Sequence, residues 1–513
     1  MCALDLGPIN LVACRGFLAF VIKLNPDYKV PCRKTVTQNL ILLHEEGKKS
    51  LIELMNDAPG VSITTDLWTS TATRGYITVT GHFIASDWKM HSNILATRAL
   101  DDKHSGENIA DAIINIKQEF KIQTIMGFVT DNAGNMLTAA QHASFSRWPC
   151  FSHTLQLAVG DGIKIPAIRD ALAFARKLVG HFSHSATSSE ALRQKRKDIG
   201  IKKPLAVVQD VCTRWNSQYL MAKRLIELRI PIFAVLWDEN ITKSSVRSSL
   251  DLKDSTWKIL EDLIPTLEPL AEATELLTKE DAPTISQVYV VLKWLLGTLE
   301  VNNTDSSAIK KLKQDIASGL QSRFGLDKEG RLKSDRIPNL ALTAVALDPR
   351  HKALKCLSED QRKKMTAHIE NLVAETRGQS GDEAQIKTEP GVDTEPPKPK
   401  RAKLAEMMQG DVISIDLTKS DQSNTKYAAF LREQVTILDP LEWWRCNSLR
   451  FPTLAKLAQQ YLSIPATEVP SERAFSTAGA TVTKLRAALE PDVVDACVFL
   501  HKNYKMQVSY LSY

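Results

Sequence analysis

The sequence predicts an α/β domain, then a large all-α region, with helices from the far end of the chain completing the α/β core. Three observations indicate this. Between Val61 and Thr130, strand-like alternation fills four stretches and helical spacing fills one. From about 166 to 375 the apolar residues follow helical spacing almost throughout. After a polar stretch, residues 427–513 are helical again and carry aromatic anchors.

The α/β part has the predicted order strand, strand, strand, helix, strand. A helical crossover after three antiparallel strands lays the fourth strand parallel to the first and beside it. Asp66 and Asp131 follow the first and fourth strands and would become neighbours. The predicted elements are Val61–Thr65, Tyr76–Ala85, Asn93–Ala99, the helix Gly106–Phe120, and Ile125–Thr130.

The chain is too long for one compact core, since it has 513 residues and 43% hydrophobic side chains. A segment rich in Gly, Ser, Pro and charged residues predicts a disordered linker. The predicted segments are a helical N-terminal region (1–60), the first part of the core (61–165), an all-α insertion (166–375), the linker (376–425) and a C-terminal region completing the core (426–513).

Composition narrows the class of protein. A net charge of +6, from 65 basic and 59 acidic residues, is compatible with nucleic acid without demanding it. Eight scattered cysteines, without a Cys-x-x-Cys pair, indicate reduced intracellular thiols. The apolar segment near the start of the sequence, residues 11–22, is short and contains Arg15. We therefore expect neither a signal peptide nor a membrane span.

Three carboxylates could form a divalent-metal site. Asp66 and Asp131 can hold a hard cation such as Mg²⁺ if a third carboxylate approaches. Glu472 is the candidate, because Pro470 and Ser471 before it indicate a helix start. In the alternative, the two aspartates cap turns and Glu472 lies on a helix surface.

Several blocks resemble those of one protein family. The first four are Thr64-Thr65-Asp66-Leu67-Trp68-Thr69-Ser70, Phe128-Val129-Thr130-Asp131-Asn132-Ala133-Gly134-Asn135-Met136, Cys150-Phe151-Ser152-His153-Thr154-Leu155-Gln156-Leu157 and Cys212-Thr213-Arg214-Trp215-Asn216-Ser217. The last are Phe451-Pro452-Thr453-Leu454-Ala455, Ile464-Pro465-Ala466-Thr467 and Ser471-Glu472-Arg473-Ala474-Phe475-Ser476. In order, they resemble hAT transposases, and most closely the BED-type zinc-finger proteins derived from them.

This resemblance implies a ribonuclease-H-like core interrupted by the helical insertion, and a C-terminal hAT dimerisation region. It places the family's Asp, Asp, Glu metal triad on Asp66, Asp131 and Glu472. An active member is a DDE-type DNA transposase, in which two Mg²⁺ ions support strand cleavage and transfer.

The Arg214-Trp215 pair matches a DNA-contacting position of the family. There the tryptophan stacks on unpaired bases near the cleaved end, for which an indole face is suited. The alternative is a core tryptophan in a helix.

Cys150 and His153 match the family's Cys-x-x-His block. Two ligands do not complete a zinc site, so we expect a structural role near the active centre. The family's N-terminal BED finger has no counterpart in this sequence, and zinc is therefore not expected in this chain.

The linker carries candidate regulatory signals. A basic cluster predicts a nuclear localisation signal, with a solvated charge run as the alternative. Its residues are Lys398, Lys400, Arg401 and Lys403. Ile386-Lys387-Thr388-Glu389 has the form of a SUMO acceptor at Lys387, and residues 412–417 resemble a SUMO-interacting strand. If Lys387 is the acceptor, the Lys387→Arg variant must lose SUMO modification.

The C-terminal region contains more large apolar side chains than one helix pair usually buries, which favours dimerisation. The candidates are Trp443, Trp444, Phe451, Leu454 and Leu457. The alternative is that they pack only against the chain's own insertion.

Together these features predict a nuclear, dimer-forming, DNA-associated protein that regulates transcription. The expected partners are DNA, further copies of the chain in a homodimer or higher oligomer, nuclear import factors and the SUMO pathway, without a membrane. One alternative is an active Mg²⁺-dependent transposase, and another is a structural dimeric partner that never touches DNA.

Overall fold

The computed structural model describes residues 3–70, 73–100, 103–201, 205–380, 425–434, 436, 439–482 and 489–503. They fall into two compact units. The first unit contains residues 1–151, 277–289 and 334–513, and the second contains residues 152–276 and 290–333. The predicted basic cluster (Lys398, Lys400, Arg401, Lys403) and the SUMO acceptor Lys387 lie outside the described residues.

The strands of the described chain form one five-stranded sheet in the first unit. They are β1 (Val61–Thr69), β2 (Gly75–Ile84), β3 (Met90–Leu100), β4 (Ile125–Thr130) and β5 (Arg147–Pro149). The order is β3-β2-β1-β4-β5. β2 is antiparallel to both of its neighbours, β1 and β3, whereas β4 and β5 run parallel to β1. The predicted pairing of the first and fourth strands is confirmed. β5 was missed because three residues are too few to show a pattern.

Some helices belong to the first unit with this sheet, and the others build the second unit. They are α1 (Arg15–Leu24), α2 (Arg33–Asn56), α3 (Gly106–Glu119), α4 (Gly134–His142), α5 (Phe151–Ile163), α6 (Pro166–His184), α7 (Ala186–Asp198), α8 (Trp215–Glu227), α9 (Arg229–Leu236), α10 (Ser244–Leu250), α11 (Asp254–Leu277), α12 (Val288–Thr298), α13 (Ser307–Phe324), α14 (Leu340–Leu347), α15 (Glu359–Ser380), α16 (Lys426–Arg432), α17 (Pro440–Asn447), α18 (Pro452–Leu462), α19 (Val469–Thr481) and α20 (Pro491–Asn503). Among these described helices, none combines the length and apolarity needed to cross a bilayer.

Both faces of the sheet are covered, which is why all ten residues of β2 are buried. Successive side chains of a strand point to opposite faces. Ile77 and Val79 accordingly join a core cluster with residues of α2, α3 and α4, whereas Tyr76 packs with Ala474 of α19 and Val494 of α20. The C-terminal helices therefore complete the core of the sheet domain.

The second unit is helical, and its helices bury amphipathic faces. In α6 the apolar positions repeat at three and four residues, so one stripe is buried. These residues are Ile168, Ala171, Leu172, Ala175, Leu178, Val179 and Phe182. A Cβ at Gly162 of α5 would lie 2.6 Å from Leu312 Cδ1 of α13, so glycine allows these helices to approach closely. The predicted fold class, an α/β core with a large helical insertion, is confirmed.

The C-terminal aromatic side chains are buried within the first unit rather than exposed on its surface. Trp444 is 0% exposed, and its Nε1 donates to the carbonyl of Leu347 in α14 at 2.9 Å. Its ring lies 5.2 Å from that of Phe430. The other predicted dimerisation residues are also buried: Trp443, Phe451, Leu454 and Leu457. The physical argument that these side chains await a partner is therefore wrong, because the chain itself covers them.

The predicted insertion extended to residue 375, but α14 and α15 belong to the first unit. The buried Lys352 helps to explain this, because its Nζ donates to the carbonyls of Phe430 and Glu433 at 2.7 and 2.6 Å. These carbonyls end α16, where a cation is favourable. Lys352 thus links the segment after α14 to the C-terminal helices.

A buried carboxylate on α20 makes stability depend on pH. Asp495 accepts a 2.7 Å bond from Thr97 N and pairs with Arg98 at 3.2 Å, and burial raises the pKa of Asp495 to about 6. Its pKa in the unfolded chain is about 3.9. The folded chain therefore binds this proton more tightly, and the stability that Asp495 contributes below about pH 4 is lost as the pH rises through 6.

We expect the free energy of unfolding of the wild type, relative to Asp495→Asn, to fall by about 2 to 3 kcal/mol between pH 4 and pH 7. Burial also lowers the pKa of His44 and of His82 to about 4, which acts in the opposite direction. Both proteins share these histidines, so their effect cancels in the difference. Urea unfolding at a series of pH values measures this difference in the free energy of unfolding. If stability changed with pH in the same way in both proteins, the prediction would be contradicted.

Candidate functional site

Two of the three predicted carboxylates lie on neighbouring strands at matching positions. β1 and β4 are parallel, with Thr64 opposite Val129. Asp66 lies two residues beyond Thr64 within β1, and Asp131 lies two residues beyond Val129, directly after the last residue of β4, so the two aspartates follow paired residues at the same end of the sheet. Asp66 lies inside β1 rather than at its end, because β1 continues to pair with β2 as far as Thr69.

Helix α19, which carries Glu472, packs on the sheet beside β1. Ser471 is hydrogen-bonded to Thr64, and the ring of Phe475 lies 6.2 Å from that of Trp68. Asp66 stands midway between those two β1 residues, on the face that α19 covers. Glu472 follows Ser471 in the first turn of α19 and is half-buried. The structure thus brings the start of α19, which carries Glu472, to the sheet face beside β1.

The spacing of these groups matters for the kind of ion they could hold. Within the described chain, their oxygens do not form a group in which all atoms lie within 4.8 Å of one another. One small ion would require them closer, since Mg²⁺ binds its ligands at about 2.1 Å. A pair of ions about 4 Å apart tolerates a wider arrangement. As placed, the three carboxylates do not form a close-packed one-ion group in the described part of the chain.

Arg147 on β5 holds the loop that carries Asp131. Its Nε donates to Thr130 Oγ1 at 2.9 Å, and its Nη2 donates to the carbonyl of Asp131 and to Asn132 Oδ1, the latter at 3.0 Å. Asp131 Oδ1 in turn accepts a 3.1 Å bond from Ala133 N. Burial lowers the pKa of Arg147, and the carboxylates of Asp131 and Glu468 act against this shift. Asp131 is thus held at its carbonyl by Arg147 and at its side chain by Ala133 N.

Arg147→Lys retains the charge beside Asp131 but loses the planar fork, which a lysine cannot reproduce. We expect the Kd for Mn²⁺ to rise about 10-fold, in the range found when a partner of a metal ligand is removed. Isothermal titration calorimetry measures this. Arg445→Lys, at an exposed arginine paired with Glu442, is the matched control and should leave the Kd unchanged. Equal Kd values for Arg147→Lys and the wild type would argue against the positioning role.

A fourth carboxylate, Glu468, was missed from the sequence. It is fully buried at the N-cap of α19, and its backbone N lies 3.4 Å from Cys150 Sγ. Cys150 is itself buried, and its N donates to the carbonyl of Thr130 at 2.8 Å. Glu468 precedes Glu472 by four residues, which puts both on one side of a helix. That spacing was the signal available in the sequence.

The predicted structural role of Cys150 fits these contacts, which join the end of β4 to the start of α19. His153, its predicted companion, is half-buried in the first turn of α5 and belongs to the second unit. Its role stays a prediction.

The predicted DNA-binding pair differs in exposure. Arg214 is exposed at the N-cap of α8, whereas Trp215 is 3% exposed and its N donates to Gln156 Oε1 at 3.0 Å. Trp215 therefore lies in the helical core, as in the alternative interpretation of the sequence. Stacking on a base would require its indole to leave this core, while Arg214 can reach a phosphate as it stands.

Comparison with known families finds three matches along the chain. Residues 64–145 match the ZBED1 RNase-like domain, and residues 148–263 match the ZBED1 RNase-like helical domain. Residues 424–504 match the hAT family C-terminal dimerisation region. The first match contains Asp66 and Asp131, and the last contains Glu472.

Individual relatives are similar along nearly the whole chain. The rice (Oryza sativa) Zinc finger BED domain-containing protein RICESLEEPER 3 is 22% identical over 95% of this chain and 67% of its own length. Human (Homo sapiens) Zinc finger BED domain-containing protein 4 is 24% identical over 98% of this chain and 43% of its own length. A maize (Zea mays) protein named as an AC transposase is 23% identical over 96% of this chain and 62% of its own length. The chain thus spans between about two fifths and two thirds of these relatives.

Proposed function

Since this chain is a hAT transposase relative that carries ZBED1 RNase-like domains and a hAT dimerisation region, we propose that it is a nuclear, dimer-forming, DNA-associated protein that regulates transcription. The dimerisation-region match at residues 424–504 carries this proposal. A dimer presents two copies of any DNA-contacting surface, which suits sites with two-fold symmetry.

The association with DNA is supported by charge and by the relatives. The chain has a net charge of +6, and Arg214 is exposed at the start of a helix, where an arginine can pair with a phosphate. One relative, from the fungus Talaromyces stipitatus, is named as a transcriptional regulator, and it is 23% identical over 91% of this chain. Transcription regulation is therefore the role we favour.

Fluorescence anisotropy with a labelled duplex tests the DNA association. We expect binding that weakens as salt rises, because each neutralised phosphate releases counterions. Arg214→Gln should lower the slope of log affinity against log salt by about one. Arg445→Gln, an exposed arginine paired with Glu442, is the control. Absence of binding at 50 mM salt would exclude the proposal.

Nuclear localisation has a separate test in cells. The basic cluster is replaced by alanine in a fluorescent fusion of the full chain, at Lys398, Lys400, Arg401 and Lys403. We expect the wild type in the nucleus and the variant distributed through the cell, since an import receptor grips such a basic peptide. A wild type that stays outside the nucleus would contradict the localisation.

A second candidate function is Mg²⁺-dependent strand cleavage and transfer. It is supported by the parallel pairing of β1 with β4, which brings the strand of Asp66 beside the strand that Asp131 follows, and by the packing of the start of α19 on β1. These residues would hold Mg²⁺, which stabilises the attacking and leaving oxygens of a phosphodiester when it is bound. Arg147 would keep the Asp131 loop in place, and the N-terminal end of α19 would favour the negative charge of Glu472.

Nicking of supercoiled plasmid in Mn²⁺ tests this second function. We expect nicking by the wild type and none by Asp66→Asn or Glu472→Gln. Equal nicking by the wild type and both variants would indicate a contaminating nuclease. An inactive wild type that still binds DNA would leave the regulatory function alone.

A further inference from the structure

A short segment of the first unit, residues 278–286, follows α11, and we call it the return strap. Thr284 Oγ1 in this segment accepts a 3.0 Å bond from Ala466 N, shortly before α19 begins. Ser286 Oγ, two residues later, donates to Asp348 Oδ2 at 2.7 Å. All four of these residues are buried. The return strap is therefore fixed to the core of the first unit, beside the start of α19.

Glu280 of the return strap binds two cations that come from different helices. Its Oε1 accepts a 2.6 Å bond from Arg473 Nη1 of α19, and its Oε2 lies 3.3 Å from Lys502 Nζ of α20. Arg473 Nη1 also donates to the carbonyl of Thr278 at 3.2 Å. Burial alone would raise the pKa of Glu280, but Arg473 and Lys502 hold this pKa below its ordinary value. Glu280 is therefore charged at neutral pH.

The bond to Glu280 helps to fix the rotation of α19 about its own axis. Successive residues of an α-helix are turned by about 100°. Ser471 faces β1, where it is hydrogen-bonded to Thr64, and Arg473, about 200° further round, faces the return strap. Glu472 lies between these two residues in the sequence. Its direction therefore follows from theirs.

The side chains with which α19 meets the sheet are small, so they define this rotation weakly. Ser471, Ala474 and Ala478 are fully buried. Helices are fixed in rotation when larger side chains fit between those of a neighbour, and serine and alanine offer little of this. Phe475 adds a ring contact, with Trp68 at 6.2 Å. The charged pair with the return strap supplies a second, directional contact.

From these contacts we infer that Glu280 is a positioning residue, which acts through Arg473 to orient Glu472 for metal binding. The inference rests on the proposed strand-cleavage function, in which Glu472 is a metal ligand. Such a ligand must be held within about 0.5 Å of its working position by the groups around it. The Arg473 side chain is 47% exposed, and exposed ion pairs add little stability. Loss of the pair should therefore weaken metal binding without unfolding the chain.

The test is isothermal titration calorimetry of Mn²⁺ with the full-length chain and its variants. Glu280→Gln and Arg473→Gln each remove one side of the pair. We expect each to raise the Kd about 10-fold, as the loss of an outer-shell partner does. The double variant should bind no more weakly than either single variant, because both substitutions break the same contact. Far-UV circular dichroism and Tm should match the wild type.

Arg473→Gln separates positioning from a simple effect of charge. It removes a positive charge next to Glu472, and this loss by itself would strengthen the binding of a cation. We expect weaker binding instead, because the direction of Glu472 is no longer fixed. Tighter binding in Arg473→Gln would overturn the inference, and so would wild-type Kd values in both single variants. Either result would leave the proposed metal site standing.

Lys502→Gln is the matched control, because it removes the other cation from the same carboxylate but lies on α20. It should bind Mn²⁺ as the wild type does. A Kd raised as far as in Arg473→Gln would mean that the contact with α19 is not the one that matters, and the inference would fail. A wild type that binds no Mn²⁺ would overturn the strand-cleavage function together with the inference.

Hydrogen exchange of the metal-free chain reports on α19 directly. We expect the amides of residues 473–478 to exchange faster in Glu280→Gln and Arg473→Gln than in the wild type, because the helix opens more often without the pair. Lys502→Gln should exchange as the wild type does. Unchanged exchange in both variants of the pair would show that Glu280 does not hold the helix, which would contradict the inference.

Discussion

Asp131→Asn is expected to abolish the binding of Mn²⁺ to this chain. The loss should exceed the ~10- to 100-fold that removal of an outer-shell partner costs, because the substitution removes a charged ligand itself. The asparagine keeps an oxygen that can accept the bond from Ala133 N, so the loop should stay folded. Isothermal titration calorimetry measures the Kd, with unchanged Tm as the check on folding.

The control for this prediction is Asp111→Asn, whose carboxylate in α3 is 65% exposed and lies outside the candidate site. It should bind Mn²⁺ as the wild type does. Wild-type affinity in Asp131→Asn would show that the bound ion sits elsewhere. A wild type without affinity would mean a scaffold that has lost metal chemistry while keeping the three carboxylates.

The same titration separates the two glutamates of α19. Glu472→Gln should lose binding if Glu472 is the third ligand, as the family resemblance implies. Glu468→Gln should retain most of it, because Glu468 is not one of the three carboxylates that the family resemblance assigns to the site. The reverse result would assign the third ligand to Glu468 and correct the family-based prediction.

Trp444→Ala is expected to destabilise the first unit by about 3 to 5 kcal/mol. The indole is fully buried, packs on Phe430, and donates to the carbonyl of Leu347 at 2.9 Å. Its removal leaves a cavity and a buried carbonyl without that donor. Urea unfolding followed by tryptophan-independent circular dichroism measures the change, as a lower midpoint.

Leu449→Ala is the matched control in the same region, because Leu449 is 96% exposed and should change stability by less than about 0.5 kcal/mol. The two variants also test where the dimer forms. If Trp444→Ala became a monomer with undiminished stability, the aromatic side chains would be interface residues, as the sequence first suggested.

The sequence determined the secondary structure of the core and, through it, much of the candidate site. Alternation over β1 and β4 and the helical spacing of α3 identified the elements, and the preferred connection placed β4 beside β1. Asp66 and Asp131 then had to be neighbours. The involvement of Glu472 came from the resemblance, since no local pattern tells a helix which strand it will cover.

The tertiary structure decided which partner each apolar face meets. Periodicity shows that Trp444 and Trp215 lie on apolar faces, but it cannot distinguish burial in the same chain from burial against another molecule. The contact with Leu347 settled that question for Trp444, and close packing of α8 settled it for Trp215. Likewise, the sequence predicted one helical insertion from about 166 to 375, and no local pattern marked residue 333 as the point where the chain passes from one unit to the other. Helical spacing is a local property, whereas the choice of partner depends on contacts between residues far apart in the sequence.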